Sequence, residues 1–299
     1  MARTLISDAV PAYSSVTSMR GDDSAHLLAT LALGFERSGS TTRLTRREHY
    51  GPLRVQKALY PEDPSVAHAI IVHPPGGVVG GDELRMDVNI ADGAQVLLST
   101  PGAAKWYRAN GHVSRQQLHI RAGAGAAIEW LPQETIFFNQ ADVLLESRVE
   151  LHGDARYLGC EILCFGRTAS GERFAEGRIR QQLCIRIDGK PVWLEQGSLL
   201  AGSPAMHGPL GLSGHTVCAS LVAVGRALPA SALAAVRDAC ATATEGSGKF
   251  GATQMKSVMI VRYLGDSSEI ARRVMLAAWQ VLRPQLLDRE PSELRIWNT

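Results

Sequence analysis

Val88-Asn89-Ile90-Ala91-Asp92-Gly93-Ala94, Leu118-His119-Ile120-Arg121-Ala122-Gly123-Ala124 and Val149-Glu150-Leu151-His152-Gly153-Asp154-Ala155 are three versions of one phrase. Each is an alternating apolar strand that runs into a glycine turn, after which a second strand begins. The glycines stand at 93, 123 and 153, so the interval repeats. Glycine supplies the positive φ that such a turn needs. Weaker echoes follow at Ile187-Asp188-Gly189 and at Val222-Ala223-Val224-Gly225. Even spacing of this kind predicts stacked β-units, either a sandwich or a solenoid whose coils bury their faces against one another.

Working outward, the strand signal starts near Ala25. Ala29, Leu31, Leu33 and Phe35 share one face while Thr30, Ala32, Gly34 and Glu36 take the other, the period of a half-buried strand. Strand-like runs follow at Leu53–Leu59, His68–His73, Glu83–Ile90 and Gln95–Ser99. Only two segments read as helices. Ser231–Ala243 follows Pro229 and is rich in Ala and Leu, a helix-forming mix. Ser268–Leu282 begins at Asp266-x-x-Glu269, a capping-box pattern, and carries Ile270, Val274, Ala277, Ala278 and Val281 on one stripe. It is expected to stop at Arg283-Pro284, because the residue before proline leaves the helical region. Gly197–Gly214 is rich in Gly, Pro and Ser and reads as a loop. The fold class expected is therefore mainly β: stacked short strands, β-helix-like, with two α-helices in the C-terminal third. Residues 1–24 are Ser-rich and aperiodic and are expected to form a mobile arm, leaving 25–299 as one domain.

Composition narrows the partners. Thirty-one basic residues against 29 acidic give a net charge of +2, which provides no bulk argument for nucleic acid or an anionic membrane. No apolar run reaches membrane-spanning length and the N-terminus has no apolar h-region. Five Cys, with no C-x-x-C pair, fit a reduced, cytoplasmic chain and neither a disulfide framework nor a zinc knuckle. Cys160 and Cys164 lie four apart in a strand-like run. That spacing sets them about 13 Å apart on one face, so both read as buried hydrophobes.

The stretches with unusual chemistry are loops. Glu245-Gly246-Ser247-Gly248-Lys249-Phe250 nearly spells a P-loop, but Phe250 stands where Ser or Thr must hold magnesium and the stretch follows a helix. His73-Pro74-Pro75-Gly76-Gly77-Val78-Val79-Gly80-Gly81-Asp82 combines fixed and free backbone. It is either a shaped functional loop or a structural turn in which Asp82 caps free amides. Lys105, Trp106, Tyr107 and Arg108 form a cationic and aromatic cluster. That cluster is either a partner surface or local cation–π packing. Glu129, Glu161 and Glu195 stand in apolar strand-like runs. On antiparallel strands such carboxylates are expected to face water. The alternatives are a polar channel or a buried pair with Arg.

Taken together, several segments resemble the urease accessory protein UreD (UreH) family, in that family's order. They are Gly51-Pro52-Leu53-Arg54-Val55-Gln56, Tyr60-Pro61-Glu62, HPPGGVVGGD (73–82), TPGAAKWYR (100–108), EWLPQETIFF (129–138), Leu163-Cys164-Phe165-Gly166-Arg167 with Ser170-Gly171-Glu172, and the ending RIWNT. The resemblance covers roughly residues 25–299. It implies a non-enzymatic maturation factor for urease that binds the urease apoprotein and a helical partner, UreF, which recruits the GTPase UreG. It further implies delivery of nickel, with carbon dioxide for the active-site lysine, and no tightly bound cofactor. It places Asp82, Glu161 and Glu195, with His73, as candidate lining of a polar nickel path, and Lys105, Trp106, Tyr107 and Arg108 as candidate partner contacts. The other reading that shares this fold is a docking scaffold with no metal in its path.

Overall fold

A computed structural model describes residues 26–298; the arm expected at 1–24 lies outside the described residues. The chain lays down β1 (Leu28–Ser38), β2 (Thr41–Tyr50), β3 (Arg54–Leu59), β4 (Val66–Val72), β5 (Glu83–Ile90), β6 (Gln95–Ser99), β7 (Ala104–Trp106) and β8 (Ser114–Ala122). Next come β9 (Ala127–Leu131), β10 (Thr135–Phe137), β11 (Ala141–Leu151), β12 (Arg156–Phe165), β13 (Gly177–Ile187), β14 (Lys190–Leu200) and the short helix α1 (Pro204–His207). The remainder is β15 (Val217–Val224), α2 (Ala230–Thr244), β16 (Lys249–Met255), β17 (Val258–Gly265) and α3 (Ser268–Leu287).

The glycine phrases are the corners of a β-solenoid. Each coil gives one strand to a first sheet, ordered β14-β13-β11-β8-β5-β1-β2, then turns and gives the next to a second, ordered β16-β17-β15-β12-β9-β6-β4-β3. In the first sheet β1, β5, β8, β11 and β13 run parallel, and in the second so do β4, β6, β9 and β12. Both sheets finish at each end in antiparallel strands. Because the side-chain period is two, in-register stacking builds ladders. Leu33, Val88, Ile120, Val149 and Ile185 form one inward rung, all buried between the sheets.

The register corrects the sequence alignment by two residues. Aligning glycines sets Val88 over Leu118, whereas Val88 pairs with Ile120. In the second turn it is Gly125, at φ +69°, that takes the left-handed conformation. A slip of two keeps every side chain on its face, so the core reading survives it. Aspartates lace the turns together. Asp92 accepts from the Ala124 amide, Asp154 from Gly125, and Asp188 from Gly153. The echo at Val222–Gly225 is no coil, since β15 runs antiparallel to β12. The loop expected at 197–214 is partly β14 and α1.

Helices α2 and α3 cover the outer face of the second sheet, which is thereby buried on both sides. Ser267, rather than Asp266, caps α3, accepting from the Ile270 amide at 3.3 Å. Asp266 instead holds His215 and the Thr216 amide. The helix also continues past Pro284 to Leu287. Proline removes one donor, but Arg226 donates to the Gln285 carbonyl and Arg156 to that of Leu286. Leu286 and Leu287 are buried, so packing and satisfied carbonyls outweigh the local penalty.

Glu129 does not face water. It sits on β9 under α3, where it accepts from Trp279 Nε1 at 2.6 Å and from Arg283 at 3.0–3.1 Å. Arg283 is fully buried and also reaches Glu62 at 2.6 Å, and Glu62 meets His68 at 2.7 Å. The parallel second sheet is covered by helices, so the alternation rule for a half-exposed antiparallel sheet does not apply to this strand.

Candidate functional site

Two cavities lie along the space between the sheets. The first, about 200 Å³, is bounded by the 73–78 and 100–105 loops and by Gln116 of β8, and ends at Glu161 and Leu163. The second, about 420 Å³, begins at the same Glu161 and Leu163 and reaches Gln181, Glu195, Lys249 and Arg262. Glu161 and Leu163 therefore line both cavities.

The two loops singled out from sequence roof the first cavity by interlocking. Val78 donates to the Lys105 carbonyl and accepts from the Tyr107 amide, both at 2.8 Å. The approach is so close at Gly80 that an added Cβ would lie 1.7 Å from the Ala109 carbonyl oxygen, which explains the glycine there. Tyr107 donates its hydroxyl to the Gly76 carbonyl at 2.9 Å.

His73 lines this cavity half-buried, and its Nε2 has no hydrogen-bond partner among the described residues. Burial lowers its pKa, so the ring is neutral at pH 7 and keeps an electron pair available. Asp82 has a different task. Its Oδ1 accepts from the Leu27 amide and its Oδ2 from the Val79 amide, each at 3.0 Å. It lines neither cavity and performs the turn-capping role. Of the aromatic and cationic cluster, Trp106 is 1% exposed and packs into the intersheet core. A partner cannot touch it, because the alternation of β7 points it inward. Lys105 and Arg108 are exposed, and Tyr107 is partly so.

Glu161 faces both cavities. Its neighbours Cys160 and Ile162 face the helices, whereas Leu163 and Phe165 face the first sheet. Gln181 of β13 donates its amide to Glu161. Burial, with the charge of Glu195 added, pushes the Glu161 carboxyl up to about 7. Glu195 of β14 pairs with Arg262 of β17 at 2.9 Å. Cys160 and Cys164 are buried, and burial pushes both thiols up to about 12. No group of three His, Cys, Asp or Glu among the described residues is arranged to hold a metal ion.

His73 and Glu161 thus line the first cavity and Glu161 and Glu195 the second, while Asp82 lines neither. Gln116, Gln181 and Arg262 were missed. The signal was present for the glutamines: Gln116 shares parity with Leu118 and Ile120, and Gln181 with Ile179, Leu183 and Ile185. A polar side chain on the inward face of a solenoid strand marks a break in the dry core. The near P-loop bridges the end of α2 and β16, with Lys249 and Phe250 on the strand. That is the wrong context for a phosphate cradle.

A two-sheet β-solenoid braced by helices, with two cavities between its sheets that share Glu161 and Leu163, is the class that fold and site define. Residues 28–298 match the family model described as UreD urease accessory protein, and the chain belongs to that family. It is 56% identical over 286 residues to a urease accessory protein UreD of Janthinobacterium sp. strain Marseille, covering 96% of this chain and 95% of the relative. It is 50% identical over 273 residues to a UreD of Nitrosospira multiformis, covering 91% and 98%. No helix among the described residues is long and apolar enough to cross a membrane.

Proposed function

We propose that this chain is a non-enzymatic maturation factor that acts in the cytoplasm. It binds the urease apoprotein and UreF, engages UreG through UreF, and passes nickel toward the urease active site along the passage between its sheets. The observation that supports this reading is the junction at Glu161, where two cavities share one carboxylate. Nickel accepts imidazole and carboxylate ligands. A relay must also release its ion, so single carboxylates and one neutral imidazole suit transit better than a closed cage. His73 supplies the imidazole in the first cavity and Glu161 the carboxylate at the narrows. Nickel here is cargo, and no tightly bound cofactor is part of the proposal.

The test is a block at the junction. Leu163→Trp adds bulk where the cavities meet, and Glu161→Gln removes the charge. Complexes carrying each variant are purified through tagged urease and their metal content measured. Intact complexes whose urease holds less nickel support the conduit. Full nickel loading in the Glu161→Gln, Leu163→Trp double variant sinks it and leaves a docking scaffold.

A further inference from the structure

Two cationic side chains line the second cavity, the exposed Lys249 and Arg262, and Arg262 is a fixed positive charge beside any cation there. Glu161 pairs across the second sheet with Ser220, Ser220 with Arg262, and Arg262 with Gly251. Residues directly opposite on neighbouring strands share a face. Glu161 and Arg262 therefore stand in one row, two strands apart, or about 10 Å at the backbone. Val261 and Tyr263 pack toward the helices, which aims Arg262 to the passage side. At Gly251 the row opens, for nothing lies within 4 Å of an added Cβ. Arg262 is met there by Glu195, which crosses from the first sheet to bond it at 2.9 Å. The Arg262 side chain is 54% exposed and that of Glu195 26%, so the pair stands at the outer part of the second cavity.

An arginine beside a cation route is unfavourable unless its charge is cancelled. Arginine does not lose its proton in a protein, so only a neighbouring carboxylate can do this. We propose that Glu195 and Arg262 form the charge gate of the passage: paired, they present no net field to a divalent cation, and Arg262 left alone excludes it. This rests on the conduit reading above. It also reassigns Glu195, which acts on the ion through Arg262 and is a positioning residue rather than a ligand. The exposed guanidinium makes the pair a separable bridge between the sheets rather than a buried strut, so its loss should leave the fold intact.

Four variants test it in the complex with urease and the other accessory proteins, with nickel as the probe and the nickel content of purified urease as the readout. Glu195→Gln should lower loading at least fivefold. Arg262→Gln should load at least as well as the unsubstituted chain. The double variant Glu195→Gln, Arg262→Gln should return loading to within twofold of the unsubstituted chain. A structural role would instead weaken folding or assembly of the Glu195→Gln complex, so the rescue is read between complexes that assemble equally well. Loading by Glu195→Gln that stays normal, or a double variant as defective as Glu195→Gln, overturns the gate. Should Glu195→Gln fail to assemble, Arg262→Gln still decides: reduced nickel in an assembled Arg262→Gln complex also overturns it. The fourth variant, Glu161→Gln with Leu163→Trp, separates the two ideas. If it loads normally the conduit itself fails; if it blocks loading while Glu195→Gln does not, the gate alone fails.

Discussion

Replacing Glu161 by Gln should make the protein more stable, and only on the alkaline side. In the unfolded chain this carboxyl titrates near its ordinary value of 4.5, whereas between the sheets it is pushed up to about 7. The cause is removal from water first and the charge of Glu195 second. Between those two pH values the folded protein holds a proton that the unfolded chain has lost. Stability therefore falls as pH rises through that window, and the full penalty is present above pH 7. Each pH unit between the two values is worth about 1.4 kcal/mol, so the penalty is about 3 kcal/mol. Glutamine keeps the shape and an oxygen to accept from Gln181, and cannot ionise. Urea unfolding followed by tryptophan fluorescence, at pH 4.5 and pH 8, measures the difference directly. The gap in unfolding free energy between the variant and the unsubstituted chain should widen by about 3 kcal/mol from the lower pH to the higher. Two parallel pH profiles would refute the reasoning and place Glu161 in ordinary solvent.

Glu62 carries the opposite sign. Burial opposes its charge, but hydrogen bonds from His68 and Arg283 hold its pKa down to about 2. It therefore stabilises the fold above pH 4.5 and that contribution, about 3 kcal/mol, is lost as pH falls toward 2; Glu62→Gln should flatten the acid limb of the unfolding curve. Arg283→Leu leaves Glu129 and Glu62 without their buried partner and should cost about 3–5 kcal/mol. That is about 10 °C in melting temperature for a chain of this size, and adding Glu129→Gln should recover part of it. Magnesium-GTP should show no micromolar affinity for the chain by calorimetry, and Lys249→Ala should change nothing, because Phe250 occupies the place of the metal-binding hydroxyl.

The parts of the fold that sequence made legible are those governed by local rules. The strands Glu83–Ile90 and Gln95–Ser99 and the glycine corners at Gly93 and Gly153 follow from alternation and backbone freedom, and the structure has them at those residues. The two-residue slip at Leu118 was invisible because parity is unchanged by it. Long-range partners were not legible. Nothing beside Pro284 in sequence says that Arg226 and Arg156 will reach the last carbonyls of α3. Nothing beside Glu129 says that Arg283, 154 positions away, will lie over it. By residue type the sequence singles out His73, Glu161 and Glu195, each of which lines a cavity. At Asp82 and Trp106 it misled, because a carboxylate and an indole in unusual loops read the same whether they serve a turn, a core or a ligand.

The antiparallel strands at both ends of the sheets bear on what the molecule is prevented from becoming. A parallel solenoid is open at its ends, and an exposed coil is a template on which another coil, from the same or a different chain, adds in register. Here β2 and β3 close one end and β14 and β16 the other, each running against its neighbour. A newcomer meets a reversed strand, with charges on β2 at Arg43, Arg46, Arg47 and Glu48, so head-to-tail growth into a fibre has no matching surface to start from. The reversals thus act as terminators, and they let a fold built for unlimited repetition stop after a few coils.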